Sequence, residues 1–114
     1  MSAADTIITI AGNGMGSGPQ DLRLSLLAKY LELLSQDDEV PPVICLYTEG
    51  VKLAVEGSPL LEQLRALEAR GVRLILCTTC LSYFDLNDKV RVGIIGGMAD
   101  ILEAQERASK VITL

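Results

Sequence analysis

Two cysteines three positions apart, Cys77 and Cys80, are the residues of this chain best suited to chemistry. They follow the apolar run 72–76, which predicts a buried strand that leads into a short helix. Ligands of α/β proteins usually bind at the carboxyl ends of parallel strands, and a helix N-terminus stabilises a thiolate. We therefore expect Cys80 to have a lowered pKa and to act as a sulfur nucleophile, with Cys77 as the second candidate catalytic residue.

Other uses of a Cys-x-x-Cys pair are less well supported by the rest of the chain. The sequence has no His, and its third cysteine, Cys45, lies within the apolar run 43–46, so a zinc site would lack ligands and we predict no metal. A thioredoxin-like oxidoreductase would carry the pair after its first strand, whereas here it follows the third. Two structural thiols in the core are the remaining alternative.

Two further loops are expected beside the cysteines, namely 12–18 after the first predicted strand and 48–52 after the second. A glycine-rich loop can direct backbone N–H groups at an anion, and a lysine near a thiol favours the thiolate. These loops supply the candidate substrate-binding residues, which are Gly14, Met15, Gly16, Glu49, Gly50 and Lys52. The alternative for the glycine loop is a plain strand-to-helix turn, and the alternative for Glu49 and Lys52 is that they are solvated loop charges. The glycines lack the spacing of a dinucleotide or Walker loop, and we predict no cofactor.

The elements that position these loops alternate between strands and helices. Five apolar runs predict strands at 6–11, 43–47, 72–77, 90–95 and 110–114. Helical patterns lie between them. The first has a broad apolar face over 21–34 that we expect to be deeply buried, and the second is a helix capped by Ser58. The last helix is lined by Met98, Ile101, Leu102 and Gln105. This rhythm predicts an α/β fold with helices on both faces of a parallel sheet.

The composition excludes several classes of protein. A net charge of −5 and only 4% aromatic residues are unsuited to nucleic-acid binding, and no apolar run approaches the roughly 18 residues of a membrane helix. Residues 1–5 show no secretory signal, and three cysteines in or near strands indicate a reducing cytoplasm. We expect residues 1–114 to form one domain, and the mean hydropathy of +0.35 indicates a homo-oligomer.

Three blocks of sequence, taken together, resemble a known family. They are Met15-Gly16-Ser17-Gly18, then Gly50-Val51-Lys52-Leu53 with Glu56-Gly57-Ser58, and Cys77-Thr78-Thr79-Cys80-Leu81 followed by Lys89-Val90-Arg91-Val92-Gly93. The chain resembles the DsrE/DsrF-like family of small sulfur-handling proteins. Within it, the chain is most similar to the C-terminal domain of YedF-type proteins, which are associated with sulfur transfer and selenium metabolism.

This resemblance implies a three-layer α/β/α sandwich with a mainly parallel five-stranded sheet, assembled as a trimer or hexamer. In sulfur-relay members a cysteine in the loop after the third strand carries a persulfide, and by position the matching residues are Cys77 and Cys80. YedF-type proteins also carry a TusA-like domain, which the given chain lacks, so such a sulfur donor or acceptor would act in trans. The closest relatives tend to have glycine at the position of Thr78, and threonine should stiffen this loop.

Two functional hypotheses follow. The leading one is a sulfur carrier or sulfurtransferase-like protein that relays persulfide sulfur through Cys80 between donor and acceptor proteins, with Cys77 able to resolve the persulfide as a disulfide. Selenium is not distinguished from sulfur by these residues. The alternative is a non-catalytic oligomeric module that binds a ligand or partner and whose cysteines are structural.

Overall fold

The structure is a computed structural model that describes residues 2–114, which fold around one five-stranded sheet. The strands are β1 (Thr6–Ile10), β2 (Val43–Leu46), β3 (Arg73–Cys77), β4 (Ile94–Gly96) and β5 (Lys110–Thr113). The α-helices are α1 (Gln20–Ser35), α2 (Leu61–Ala69), α3 (Thr78–Tyr83) and α4 (Met98–Arg107), and a 3₁₀ helix spans Thr48–Ala54.

All strand pairs of the sheet are parallel, and the strand order is β4-β3-β2-β1-β5. The register places Ile8 beside Ile44, and Ile44 beside Leu74, so the central strands form one apolar block. Parallel pairing brings the carboxyl ends of β1, β2 and β3 to the same edge. The prediction of an α/β fold with a parallel five-stranded sheet is confirmed.

The helices cover both faces of the sheet. Successive strand residues point to opposite faces: Ile8 lines one cavity together with Leu34 of α1, and Ile7 lines another together with Ala104 of α4. Helix α2 packs against α1 and therefore shares its layer. From β1 to β4 each new strand is added on the same side of the preceding one, whereas α4 leads back across the sheet to β5 on the far side of β1. Because such crossovers are right-handed, this reversal places α4 on the sheet face opposite α1 and α2. The result is a three-layer α/β/α arrangement.

The core lies on both sides of the central strands, but two helices are less buried than the sequence predicts. In α1, Leu27 and Leu31 are fully buried, whereas Leu33 is 59% exposed, so the expected deep burial of that helix is wrong for the single chain. In α4, Ile101 is buried, while Leu102 is 55% exposed. A single sheet face can cover only about one third of a helix, which leaves the rest of a broad apolar face uncovered.

Two element boundaries also differ from the sequence-based expectation. The fourth strand begins at Ile94 because the preceding Val90 forms an antiparallel bridge with Val55, next to the 3₁₀ helix. Helix α2 begins at Leu61 because the hydroxyl of Ser58 accepts the N–H of Leu60 in a turn that precedes the helix. Among residues 2–114, no helix is both long and apolar enough to cross a membrane.

Candidate functional site

The thiol of Cys80 lies where the segments after β2 and β3 meet. Its Sγ accepts a hydrogen bond from the backbone N–H of Thr48 at 3.0 Å, and the Cys77 side chain also hydrogen-bonds to it. Cys77 is the last residue of β3 and is 1% exposed, while Cys80 is only partly buried. Cys80 is thus the member of the pair that a reactant can reach, and the Cys77 thiol lies directly behind it.

The pKa of Cys80 is raised above the ordinary value of a cysteine, contrary to the sequence-based prediction. Burial is the largest cause, and the hydrogen bond and charge interaction with Cys77 act in the same direction. The Thr48 N–H lowers the pKa but does not outweigh them. Helix α3 has six residues, so its dipole is small, and a partly desolvated thiol beside a second thiol favours the neutral form.

Thr48 is held in an unusual conformation that directs its N–H at the sulfur. Its φ of 50° lies in the left-handed region, which costs a non-glycine residue roughly 1–2 kcal/mol. The neighbouring Tyr47 N–H donates to the Ile10 carbonyl at 3.2 Å, and the Gly50 N–H donates to the Tyr47 carbonyl at 2.9 Å. An added Cβ at Gly50 would overlap the Ile10 oxygen, so only glycine lets the 3₁₀ helix come this close to β1.

Lys52 and Glu49 belong to the same 3₁₀ helix, and they pair with one another instead of with the sulfur. The Lys52 ammonium lies 3.4 Å from a Glu49 carboxylate oxygen and 4.4 Å from the centroid of the Phe84 ring. Burial, the Cys77 thiol and the Thr48 N–H set the pKa of Cys80 and Lys52 is not among these causes, so the expected effect of Lys52 on the thiol is wrong.

A groove with a volume of about 430 Å³ opens beside this lysine, and we call it the edge groove. It is lined by Asn13 from the loop after β1, Lys52 from the 3₁₀ helix and Phe84, which follows α3, while neither Cys77 nor Cys80 is among its lining residues. The other lining residues are Leu24, Val55, Glu56, Gly57, Ser58, Pro59 and Leu86.

The glycine loop, residues 12–18, is held by two side chains of α1, and the first of them, Gln20, donates from its amide nitrogen to the Asn13 carbonyl. The Arg23 guanidinium donates to the Gly16 carbonyl at 2.9 Å, and the Met15 N–H donates to the Arg23 carbonyl at 3.0 Å. Gly14 has a φ of 137°, and an added Cβ there would lie 2.6 Å from the Arg23 Cβ. Of this loop, Asn13 reaches the edge groove, while Gly14, Met15 and Gly16 lie at the same sheet edge without lining it.

Cys45 is separate from the site. It is fully buried in β2, and burial raises its pKa to about 11 in spite of the nearby Arg73 charge. Within the described residues, no three side chains of His, Cys, Asp or Glu come together as a potential metal site.

Sequence reasoning missed two residues of the site, Thr48 and Phe84. Thr48 contributes its backbone and not its side chain, and its left-handed conformation has no signal in the residue type. Phe84 follows Cys80 by four residues, which is the spacing of neighbours on one helix face. That spacing could have placed Phe84 one turn after Cys80 on the same side of the helix.

Known proteins share the fold of this chain. The model of a family described as the DsrE/DsrF-like family matches residues 6–114. No curated protein sequence matches the chain. The solved structure of the ychN protein from E. coli superposes with a TM-score of 0.71 at 22% identity, over 97% of this chain and 99% of that one.

Two further solved structures, each titled as a protein of unknown function, are similar. MTH1491 from Methanobacterium thermoautotrophicum has a TM-score of 0.73 at 19% identity, over 97% of this chain and 99% of that one. BT1422 from Bacteroides thetaiotaomicron has a TM-score of 0.69 at 15% identity, over 96% of this chain and 95% of that one. At such identities these structures bear on the fold alone.

Proposed function

Because this chain belongs to the DsrE/DsrF-like family, we propose that it is a sulfur carrier whose Cys80 accepts persulfide sulfur from a donor and passes it to an acceptor protein. The observation that supports this most strongly is the placement of the Cys80 sulfur at the open edge of the sheet, 3.0 Å from the Thr48 N–H and beside the Cys77 thiol.

Loading is a transfer at sulfur. The Cys80 thiolate attacks the outer sulfur of a donor R–S–SH, the donor S–S bond breaks, and its electron pair leaves with RS⁻. Cys80 then carries Cys80–S–SH. The N–H of Thr48 is positioned to donate to sulfur at this site, and a hydrogen bond to an anionic sulfur is stronger than one to a neutral thiol.

The raised pKa of Cys80 gives the carrier a protonated resting state. A thiol held neutral reacts slowly with adventitious electrophiles, because the thiolate is the nucleophile. The partly buried position also shields the bound sulfur from bulk solvent. Cys77 lies within hydrogen-bonding distance of Cys80, so it can attack the Cys80 persulfide, form the Cys77–Cys80 disulfide and release the outer sulfur as HS⁻.

The wider setting of this activity belongs to the same proposal. We place the protein in the cytoplasm as a single-domain homo-oligomer, a trimer or hexamer, related to YedF-type proteins and using a TusA-like protein in trans. Gly14, Met15, Gly16, Glu49, Gly50 and Lys52 surround the route by which a partner reaches Cys80. Selenium could follow the same route as sulfur, since a perselenide has analogous chemistry.

A second function, a non-catalytic binding module with structural cysteines, is favoured by the burial of Cys77 and the raised pKa of Cys80. Intact-mass measurement after treatment with a persulfide donor separates the two. We expect wild type and Cys77→Ser to gain sulfur and Cys80→Ser to gain none, with Cys45→Ala as a control that loads like wild type. Failure of wild type to gain sulfur under conditions that load a known carrier favours the binding module.

A further inference from the structure

The edge groove has the size and lining of a small-molecule site. Its volume of about 430 Å³ falls in the usual range for ligand pockets, roughly 300–1,000 Å³. One wall is apolar and consists of Leu24, Val55, Phe84 and Leu86. The polar groups are few and converge from different segments, which is the pattern expected of a site that fixes the orientation of a ligand.

The polar groups of the edge groove favour a zwitterionic ligand, one that carries both a positive and a negative group. The Lys52 ammonium has three donors, of which the 3.4 Å pair with Glu49 occupies one. The Ser58 hydroxyl accepts the Leu60 N–H at 3.1 Å, which leaves its own hydrogen to donate. Glu56 lines the same groove and is only loosely paired with Arg91, at 3.5 Å. A carboxylate near Lys52 and an ammonium near Glu56 are complementary to this arrangement.

Cys80 does not line the edge groove, but two lining residues, Phe84 and Lys52, lie four residues along the chain from the Cys80 site. Phe84 directly follows α3, four residues after Cys80, and its N–H donates to the Cys80 carbonyl at 3.1 Å. Four residues span about 6 Å along an α-helix. Lys52 lies four residues after Thr48, which is about 8 Å along a 3₁₀ helix. About two extended residues cover such a distance, at about 3.5 Å per residue, and a single amino acid bridges part of it with its side chain.

We infer that the edge groove binds the organic part of a low-molecular-weight persulfide, an amino acid or short peptide with a free carboxylate, as the sulfur donor to Cys80. This inference rests on the proposed function and specifies its substrate class. The carboxylate binds Lys52, the ammonium group binds near Glu56, and the aliphatic part packs on Phe84. The outer sulfur then reaches Cys80, its S–S bond breaks as the new bond to Cys80 forms, and the small thiolate leaves.

The test compares two donors on the same protein, cysteine persulfide and inorganic polysulfide, which has no organic part. Initial rates of sulfur uptake are measured by intact mass for wild type and Lys52→Gln. We expect the ratio of the cysteine persulfide rate to the polysulfide rate to fall about tenfold in Lys52→Gln, because one charge-assisted hydrogen bond to the donor is lost. S-methylcysteine, which cannot transfer sulfur, should compete with cysteine persulfide in wild type.

The matched control is Lys29→Gln, since Lys29 forms the same kind of pair with Glu32, at 3.1 Å, on the surface of α1. This variant should keep the wild-type ratio. An unchanged ratio in Lys52→Gln, or no competition by S-methylcysteine, overturns the groove inference even if polysulfide loads Cys80. Failure of both donors to load wild type instead contradicts the carrier function itself.

Discussion

The reactivity of Cys80 is set by the few groups that touch its sulfur. Burial and the Cys77 thiol favour the protonated form, and the Thr48 N–H favours the thiolate. Because the balance raises the pKa of Cys80, the thiolate fraction is small at neutral pH and grows only at a more alkaline pH than for an ordinary cysteine. Reaction rates of this residue should therefore depend strongly on pH.

A first prediction concerns this pH dependence. The rate of sulfur uptake by wild type should still be increasing at a pH where an ordinary cysteine is already mostly ionised, because burial raises the pKa of Cys80. Cys77→Ala removes the hydrogen bond and the charge interaction with Cys77, both of which raise the pKa of Cys80. The pH profile of the uptake rate should therefore move to lower pH. Stopped uptake reactions followed by intact mass across the pH range measure both profiles. A profile that stays in place, or moves to higher pH, contradicts this account of the thiol.

A second prediction concerns which thiol reacts. Iodoacetamide should label one cysteine per folded chain, Cys80, because Cys77 is 1% exposed and Cys45 is fully buried with a pKa of about 11. All three thiols should react in denaturant. Fragment masses of the labelled protein identify the site. Rapid labelling of Cys45 in the folded chain would contradict the full burial of this residue in β2.

The site also depends on how closely the 3₁₀ helix approaches β1. Thr48 directs its N–H at Cys80 only because Tyr47 and Gly50 pack against the end of β1. The strain at Thr48 is retained because the surrounding hydrogen bonds determine its conformation. The 3₁₀ helix has no clear periodic signal in the sequence. It nevertheless contributes the Thr48 N–H, which within residues 2–114 is the one backbone donor that the structure shows for the Cys80 sulfur.

Substitution of Gly50 tests this dependence. Gly50→Ala should lower the free energy of unfolding by about 1–3 kcal/mol and slow sulfur uptake, because the added methyl group pushes the 3₁₀ helix away from Ile10. Thermal unfolding and the uptake rate measure the two effects. Gly97→Ala is the control, since an added Cβ there meets only Asp100 Oδ2 at 3.9 Å, and we expect a cost below about 1 kcal/mol. Equal effects of the two substitutions would show that the close approach is unimportant.

The sequence predicts regular elements better than it predicts the contacts between them. The strands at 6–11, 43–47 and 72–77 are confirmed within one residue at each end, since their apolar runs and periodicity are local signals. The fourth strand was placed too early, because Val90 pairs with Val55, which is distant in the sequence. The left-handed Thr48 and its contact with Cys80 are set by tertiary packing and have no local signal.

Large apolar side chains remain exposed in several parts of the molecule, including α1 and the region of β4 and α4. Ile94 and Ile95 of β4, with Met98 and Leu102 of α4, are each about half exposed, and the two α4 residues are four apart on one face. Exposed apolar groups that cluster in this way usually mark a contact between subunits. These exposed side chains of β4 and α4 support the proposed homo-oligomer.

The oligomer can be tested at this surface. Wild type should sediment at a multiple of the mass of one chain, and Leu102→Glu should lower that mass, because a charge placed in an apolar interface is costly to desolvate. Glu106→Gln, also on the exposed part of α4, should leave the assembly intact. Sedimentation of the three proteins at equal concentration measures the result. A wild type that sediments as a single chain would exclude the assembly.

The central claim is that sulfur enters and leaves through Cys80, and isotopically labelled persulfide tests it most directly. The protein is loaded, the donor is removed, an acceptor thiol is added, and the label is located by fragmentation of segment 74–89, which cleavage after Arg73 and Lys89 releases. We predict one labelled sulfur on Cys80 that moves to the acceptor, and none on Cys80→Ser. Label that settles elsewhere, persists after the chase, or appears equally on Cys80→Ser contradicts the account.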